Sequence, residues 1–398
     1  MKRLLSQLLL VVSLLVSTSA AAHTELSDKA YISLLTCEPS TAIYERFWHS
    51  AIRVCDPANG IDKAYNYGIF DFDTPFFTAK FVKGATDYIL AVYDTEDFVD
   101  SYMARRSTIY EQILNLTADE RQTLYDALEE NALPENKTYR YNFVYDNCAT
   151  RVYFIIKKVL DRYGTTMIID YPFRPTTYRA VFEQFLGRDN WQRFAIDIVI
   201  GEPADRQISP DALIAFPKYT MEFVANTQLT TDTLSVPLVA SVGTICRFPT
   251  VKPSEHSLLR PTFVCSLLMV VVIFLSFWCW RVDKYFAIID FILFFVFGLI
   301  GTVVFYLMFF SVHPLVSPNY NILWANPLML VFSLLLLNKR WRRYLSYFAI
   351  FNALTTIIAI IIFVLRIQVM HASFLALMAM MLVRSLMFFQ QNFYKKYQ

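Results

Sequence analysis

Residues 139–160 read YRYNFVYDNCATRVYFIIKKVL. In the first half, Tyr139, Tyr141, Phe143 and Tyr145 fall on one side and Arg140, Asn142 and Val144 on the other, the period of a strand. From Cys148 the period changes. Cys148, Val152, Ile155, Ile156 and Val159 recur at helical spacing and predict a helix running to about Arg162. Asn147 is a good N-cap residue, so Cys148 opens that helix. Unpaired N–H groups and the helix dipole favour an anion there, and a thiolate in that place has a lowered pKa. Asp146 opposes this effect and Arg151, one turn on, supports it. On these residues alone three readings of Cys148 stay open: a core cysteine heading an apolar stripe, half of a disulfide with Cys246, or a nucleophile.

Upstream lies the sheet that such a helix needs. Residues 29–37, 49–56 and 61–72 read as three strands of a small antiparallel sheet, separated by a short helical turn and by DPANG. Cys37 and Cys55 flank the first two strands and form a disulfide candidate, since an exported segment permits disulfides. Residues 95–105 read as helix. Thr117 with Glu120 marks a capping box, and Leu116, Leu124, Ala127 and Leu128 form the inward face of the helix it starts. Residues 176–185 and 191–199 read as helices, GEPADR (201–206) as an irregular loop, and 229–247 as strand-like.

A thiol nucleophile needs a base, and a third group to hold the base's ring. Of five histidines, His23 sits at the processed terminus, His256 in a tether, and His313 and His371 at ends of apolar spans. His49 remains. It opens the second strand and shares a face with Ala51 and Arg53, while Ile52 and Val54 share the other. Asn66, on the next strand, is the candidate orienter of its ring. Arg151 and Arg206 are candidates for meeting a phosphate. No metal site or cofactor is expected.

The chain ends place this domain outside a membrane. MKRLLSQLLLVVSLLVSTSAAA (1–22) has a basic start, a short apolar core and small residues at its end, the pattern of a secretory signal peptide. Five apolar runs follow a proline-rich tether (248–260): 261–280, 285–310, 320–337, 344–365 and 371–389, each long enough to span a bilayer. Arg281 and Lys284, then Lys339, Arg340, Arg342 and Arg343, then Lys395 and Lys396 follow the odd-numbered runs, while the alternate loops hold only Arg366. Lys and Arg gather on the cytoplasmic side, so residues 23–247 are expected outside and the C-terminus inside. Asp290 is an intramembrane acid with an expected place near the interface; Arg366 and Arg384 are expected to snorkel. The net charge of +2, with no basic stripe, argues against nucleic acid as a partner.

Cysteine at a helix start, histidine on a strand and a polar orienter on the next strand resemble the papain-like arrangement, with the histidine first and the order therefore circularly permuted. Acyltransferases related to lecithin:retinol acyltransferase share that order, and their Asn-Cys pair is similar to Asn147-Cys148. LLTCEPSTAIYERFWHSAIRVCDPANGIDKAYNYGIFDF, YRYNFVYDNCATR and GEPADR, followed by several spans, resemble the Lnb-type lipoprotein N-acyltransferases over nearly the whole chain. DNCATR and FWHSAIR carry most of that resemblance. It implies an α+β fold: an exported, permuted papain-like domain of antiparallel sheet and helices (23–247), then a five-span helical bundle (261–398) in the bacterial inner membrane. It puts the nucleophile on Cys148 and the base on His49. It also implies a phospholipid acyl donor, a Cys148 thioester, and the α-amine of a diacylglyceryl cysteine of a lipoprotein as acceptor. The aromatic run Phe70, Phe72, Phe76, Phe77, Phe81 with Tyr88 is a candidate acyl groove or plain core. A phospholipase or thioesterase would use the same dyad with water as acceptor. A cell-wall cysteine peptidase would have no use for five spans, and a sensor would lack a cytoplasmic domain.

Overall fold

Strands β1 (Tyr31–Cys37), β2 (His49–Asp56) and β3 (Ile61–Ile69) alternate between two buried faces. Ile32, Leu34, Ile52, Val54, Tyr65 and Tyr67 point to one, and Leu35, Cys37, Ala51 and Ala64 to the other. Period two with apolar residues on both sides requires a layer of helix on each face. The computed structural model supplies them; it describes residues 24–40, 46–70, 75–232, 234–249 and 258–393. The expected signal peptide (1–22), Phe72, most of the 248–260 tether and the lysines at 395 and 396 fall outside the described residues.

Next along the chain come helix α1 (Phe77–Lys83), β4 (Asp87–Asp94), α2 (Thr95–Ala104), β5 (Ile109–Leu114), α3 (Ala118–Ala132), β6 (Thr138–Arg140) and α4 (Cys148–Arg162). They are followed by β7 (Thr166–Ile169), α5 (Tyr178–Leu186), α6 (Trp191–Val199), α7 (Pro217–Ala225), β8 (Thr227–Thr230), β9 (Ser235–Pro237) and β10 (Val239–Cys246). The main sheet has seven antiparallel strands in the order β10-β5-β1-β2-β3-β4-β6, and β7, β8 and β9 form a second, small sheet. On the first face Val152, Ile155, Ile156 and Val159 of α4 pack against Ile52 and Val54, with Leu124 and Leu128 of α3 beside them. Burying each such side chain contributes about 1.5–3 kcal/mol, which ties α4 to the sheet. On the second face Phe98 and Tyr102 of α2 cover Cys37, Ala51 and Ala64.

Two expected strand segments change. The third ends at Ile69, with Phe70 outside it; residues 71 and 72 lie outside the described residues. The alternation of 139–145 stops after Arg140, because Asn142 turns the chain: its Oδ1 accepts from the N–H groups of Val144 and Tyr145, and its backbone pairs with Asp146.

The Cys37–Cys55 disulfide is corrected. Cys37 lies opposite His49 and Cys55 opposite Tyr31, so the two cysteines mark opposite ends of one hairpin, about 20 Å apart at ~3.3 Å per residue. A bridge needs Cα atoms within about 7 Å. Cys246 pairs with Ile109 on the far side of β1, and Cys148 does not bridge to it; all six cysteines are free thiols.

The bundle consists of α8 (Pro261–Arg281), α9 (Ala287–Phe310), the short α10 (Leu328–Leu335), α11 (Arg342–Val364) and α12 (Ser373–Phe393). Among the described residues four helices, α8, α9, α11 and α12, are long and apolar enough to cross a membrane. The third expected span (320–337) is broken. A 3-10 turn, Tyr320–Leu323, is separated from α10 by a stretch that ends in Pro327, which has no N–H to continue the ladder. Alone, α10 rises about 12 Å, less than half of a ~30 Å hydrocarbon core. Polar residues explain the break: Asn319 and Asn321 donate their amides to the carbonyl oxygens of Asp197 and Ile198 at the C-terminal end of α6, at 2.8–3.0 Å. Those carbonyls have no partner within their own helix.

GEPADR is the other half of this junction. Gly201 N–H donates to Leu315 O (2.7 Å) and Glu202 N–H to Pro318 O (2.9 Å). A Cβ at Gly201 would lie 1.9 Å from Pro318 O, so only glycine fits. Asp205 accepts from Arg179 (2.7 Å) and from Val369 N–H (3.1 Å), and Arg179 also binds Asp197 (2.7 Å).

Asp290 and Arg384 correct two further expectations. Both are buried within the bundle and form a 2.7 Å ion pair, with Arg384 also donating to Ser276 Oγ (2.9 Å). Neither side chain reaches outward from the bundle: each charge is compensated by the other, which permits both to be buried.

Candidate functional site

The N-terminus of α4 is built around Asn147. Its Oδ1 accepts from the N–H groups of Ala149 (3.0 Å) and Thr150 (3.1 Å), while Thr150 Oγ1 accepts from Asn147 N–H (2.7 Å), closing a capping box. Asn147 Nδ2 donates to Phe143 O (2.9 Å) and Ala215 O (2.8 Å). With its amide satisfied at both ends, Asn147 holds the first turn in one orientation, and with it Cys148, which is 7% exposed.

His49 opens β2 on the α2 face, whereas α4 lies on the other. They meet at the end of the sheet, where Gly68 carries no side chain. Gly68 has φ +92° and interrupts the β3–β4 register between Tyr67 and Ile69. A Cβ there would lie 3.6 Å from Cys148 Cβ and 3.9 Å from His49 Cε1, so the glycine backbone forms the wall shared by both. Those distances are ordinary contacts; the positive φ is what calls for glycine.

Asn66 Oδ1 lies 2.5 Å from His49 Nε2. Tyr65 pairs with Ile52, so Asn66, the next residue, shares the face of His49 and Ala51. With Nε2 held by Asn66, the ring's hydrogen bond to Cys148 runs through Nδ1. Tyr102 of α2 stacks on the imidazole at 6.3 Å and 19°, with the Arg105 guanidinium on its own ring at 4.3 Å.

Burial by itself would raise the Cys148 thiol. The charge of His49, its hydrogen bond, and the N–H groups of Ser50 and Ala149 outweigh burial and hold the thiol below its ordinary value. Burial likewise works against a charged imidazole, yet the Cys148 sulfur and the Asn66 oxygen keep His49 above its ordinary value. The two shifts together favour a thiolate–imidazolium pair. Cys37, opposite His49 and hydrogen-bonded to Tyr102, moves the other way: burial pushes its thiol well up, as it does for Cys246. The direction of the shift separates Cys148 from the buried Cys37 and the half-buried Cys246.

The structure therefore brings Cys148, His49 and Asn66 together. Arg151 is paired with Asp146 (2.6 Å) and lies over the Tyr139 ring (3.9 Å). It lines a cleft of about 800 Å³ between α3 and α4 that includes neither Cys148 nor His49. Arg206 pairs with Glu202 (2.8 Å) in the domain junction. Neither arginine joins the Cys148 site. Gly68 and Tyr102 were not picked out from the sequence. An isolated glycine inside an alternating strand was an available signal for the first; the second arrives only through the packing of α2. Among the described residues no group of His, Cys, Asp and Glu side chains could hold a metal ion.

Comparison with known families follows this division of the chain. Residues 19–184 match the Lnb N-terminal periplasmic domain, and residues 253–396 match the Lnb transmembrane domain. No curated protein and no solved structure matches the chain. An α+β periplasmic domain that carries a paired thiol and imidazole, joined to a bundle of membrane-spanning helices, is thus accounted for at both ends: the chain belongs to the Lnb-type lipoprotein N-acyltransferases.

Proposed function

We propose that the protein moves an acyl chain from a membrane phospholipid, through a thioester on Cys148, to the α-amine of the diacylglyceryl cysteine of a lipoprotein, at the periplasmic face of the bacterial inner membrane. The observation that carries this reading is the depressed Cys148 thiol, hydrogen-bonded to a His49 that Asn66 holds by its other nitrogen.

The Cys148 thiolate attacks the ester carbonyl, forming the S–C bond and an oxyanion. The N–H group of Ser50, which faces the sulfur, is the donor at hand for that charge; that of Ala149 is shared with Asn147 Oδ1. As the tetrahedral species collapses, the ester C–O bond breaks, and the imidazolium of His49 gives its proton to the leaving lysophospholipid oxygen. His49 is then neutral and able to take a proton from the incoming amine. The amine attacks the thioester, the C–S bond breaks, and the amide and the thiolate–imidazolium pair are the products. Proton and charge balance over the two half-reactions, so neither a cofactor nor a metal is required. Two lipid-anchored substrates account for an active domain clamped to a membrane bundle through Gly201, Asp205, Asn319 and Asn321.

The test is expression in cells depleted of their own N-acyltransferase, with lipoprotein acyl state read by mass spectrometry. Cys148→Ala and His49→Ala are each expected to abolish N-acylation while the protein stays in the membrane. N-acylation by Cys148→Ala would remove the nucleophile assignment. Free fatty acid as the sole product of the wild type would replace transfer with hydrolysis.

A further inference from the structure

Helix α1 (Phe77–Lys83) has no buried residue. The preceding Phe76 is 83% exposed and Phe81 is 50% exposed. A helix of two turns gains little from its own hydrogen bonds and here gains little from packing. It is strapped to the bundle instead. Lys83 O accepts from Val312 N–H, and Phe81 O lies against His313 Nε2, both at 2.8 Å. Val312 and His313 lie two and three residues beyond Phe310, the last residue of α9, at the end of the bundle that meets the periplasmic domain. Phe309, Phe310 and Val312 are themselves exposed, so the apolar surface of α1 continues the lipid-facing belt of α9. Lys80 and Lys83 add positive charge to the same helix, the composition of a segment that rests among anionic headgroups.

From this surface a file of rings in contact leads inward, stacked except for the edge-to-face step from Phe70 to Tyr88. Ring centroids lie 6.0 Å apart for Phe81–Phe77, 5.8 Å for Phe77–Phe70, 5.3 Å for Phe70–Tyr88 and 4.0 Å for Tyr88–Tyr141. Tyr141 reaches the Gly68 wall: its Cε2 is 3.8 Å from the point where a Cβ would be, against 3.6 Å for Cys148 Cβ. The file thus joins the exposed apolar surface of α1 to the Gly68 wall beside Cys148.

We propose that α1 rests in the outer-leaflet interface and that these rings form the wall along which the donor phospholipid's acyl chain passes from the leaflet to Cys148. The inference rests on the acyl-transfer reading. An ester can reach Cys148 only if its chain leaves the hydrocarbon of the bilayer, and each methylene drawn through water is costly. A continuous aromatic wall that begins in the lipid belt removes that exposure.

The test uses the purified full-length protein in phosphatidylglycerol–phosphatidylethanolamine vesicles. Acyl-enzyme formation on Cys148 is followed by intact-protein mass spectrometry in a single turnover, with either long-chain vesicle phospholipid or monomeric dihexanoyl phospholipid as donor. The variant combines Phe76→Ser with Val82→Asp, two exposed positions at α1 that lie outside the file of rings. It is expected to acylate about tenfold more slowly from vesicles and within about twofold of wild type from the monomeric donor. Phe76→Leu with Val82→Leu, which keeps both positions apolar, is expected to keep the vesicle rate. Equal losses on both donors, or no loss on either, overturn the proposal. A wild type that forms no acyl-enzyme from either donor sinks the acyl-transfer reading and this inference with it.

Discussion

Replacing Asn66 by alanine probes how the His49 ring is held. Asn66 Oδ1 accepts from Nε2 at 2.5 Å, and this bond is one of the influences that keep His49 above its ordinary value. A hydrogen bond to a charged group contributes about 1.5–3 kcal/mol, a bias of roughly ten- to hundredfold toward the protonated ring. Water can reach this half-buried edge in the variant, so the lower end applies. The sign follows from which state is favoured. A raised histidine keeps its charge below its folded pKa and loses it as pH rises through that value, so removing Asn66 brings the loss to lower pH. The acid side of the profile belongs to Cys148, whose thiol is held low mainly by the charge of His49. In Asn66→Ala the rate of acyl-enzyme formation should therefore fall about tenfold more at pH ~8 than at pH ~6. Asn66→Asp, which places an anion on the same nitrogen, should extend activity to higher pH. The assay is the single-turnover rate of Cys148 acylation between about pH 5 and 9. A loss by the same factor at every pH would refute the electrostatic argument and leave Asn66 only the task of orienting the ring.

Two further expectations concern what holds the domains in place. In Gly201→Ala the new Cβ would stand 1.9 Å from Pro318 O, and the relief of that clash breaks the bonds to Leu315 O and Pro318 O. The expected cost is about 2–5 kcal/mol, seen as a lower thermal midpoint in detergent, and an unchanged midpoint would show that this junction carries no stability. Arg384→Met leaves Asp290 as an unpaired charge inside the bundle, at a cost of about 3–5 kcal/mol, whereas Arg384→Met with Asp290→Asn should recover most of it. Unfolding of both variants in the same detergent decides this, and a double variant no more stable than the single one would contradict it.

Much of the main chain was legible. The period-two runs end as strands at Cys37 and Asp56, and the period-3.6 stripe behind Cys148 ends at Arg162. The Thr117–Glu120 capping box forms as expected. Strands β4 and β5 went unread, because DYILAVYD and IYEQIL are short runs beside stronger helical signals and earn their place only through pairing with β3 and β1. The disulfide expectation failed on register: the hairpin that joins β1 and β2 sets Cys37 beside His49 rather than beside Cys55.

The sequence by itself determined the local periods, the exported and membrane-embedded parts, and the residue types able to do the chemistry, because each depends on neighbours within a few positions. Tertiary structure decided the rest. Nothing local states that Asp290 would meet Arg384 across the bundle, or that the polar Asn319 and Asn321 would break the third apolar run by capping α6. Nor does any local pattern place Cys148 and His49, on opposite faces of a sheet, together over the bare backbone of Gly68. Proton affinity depends on what lies within a few ångströms. The same burial that pushes the thiol of Cys37 up is overcome at Cys148, and only the folded chain brings the imidazole close enough to overcome it.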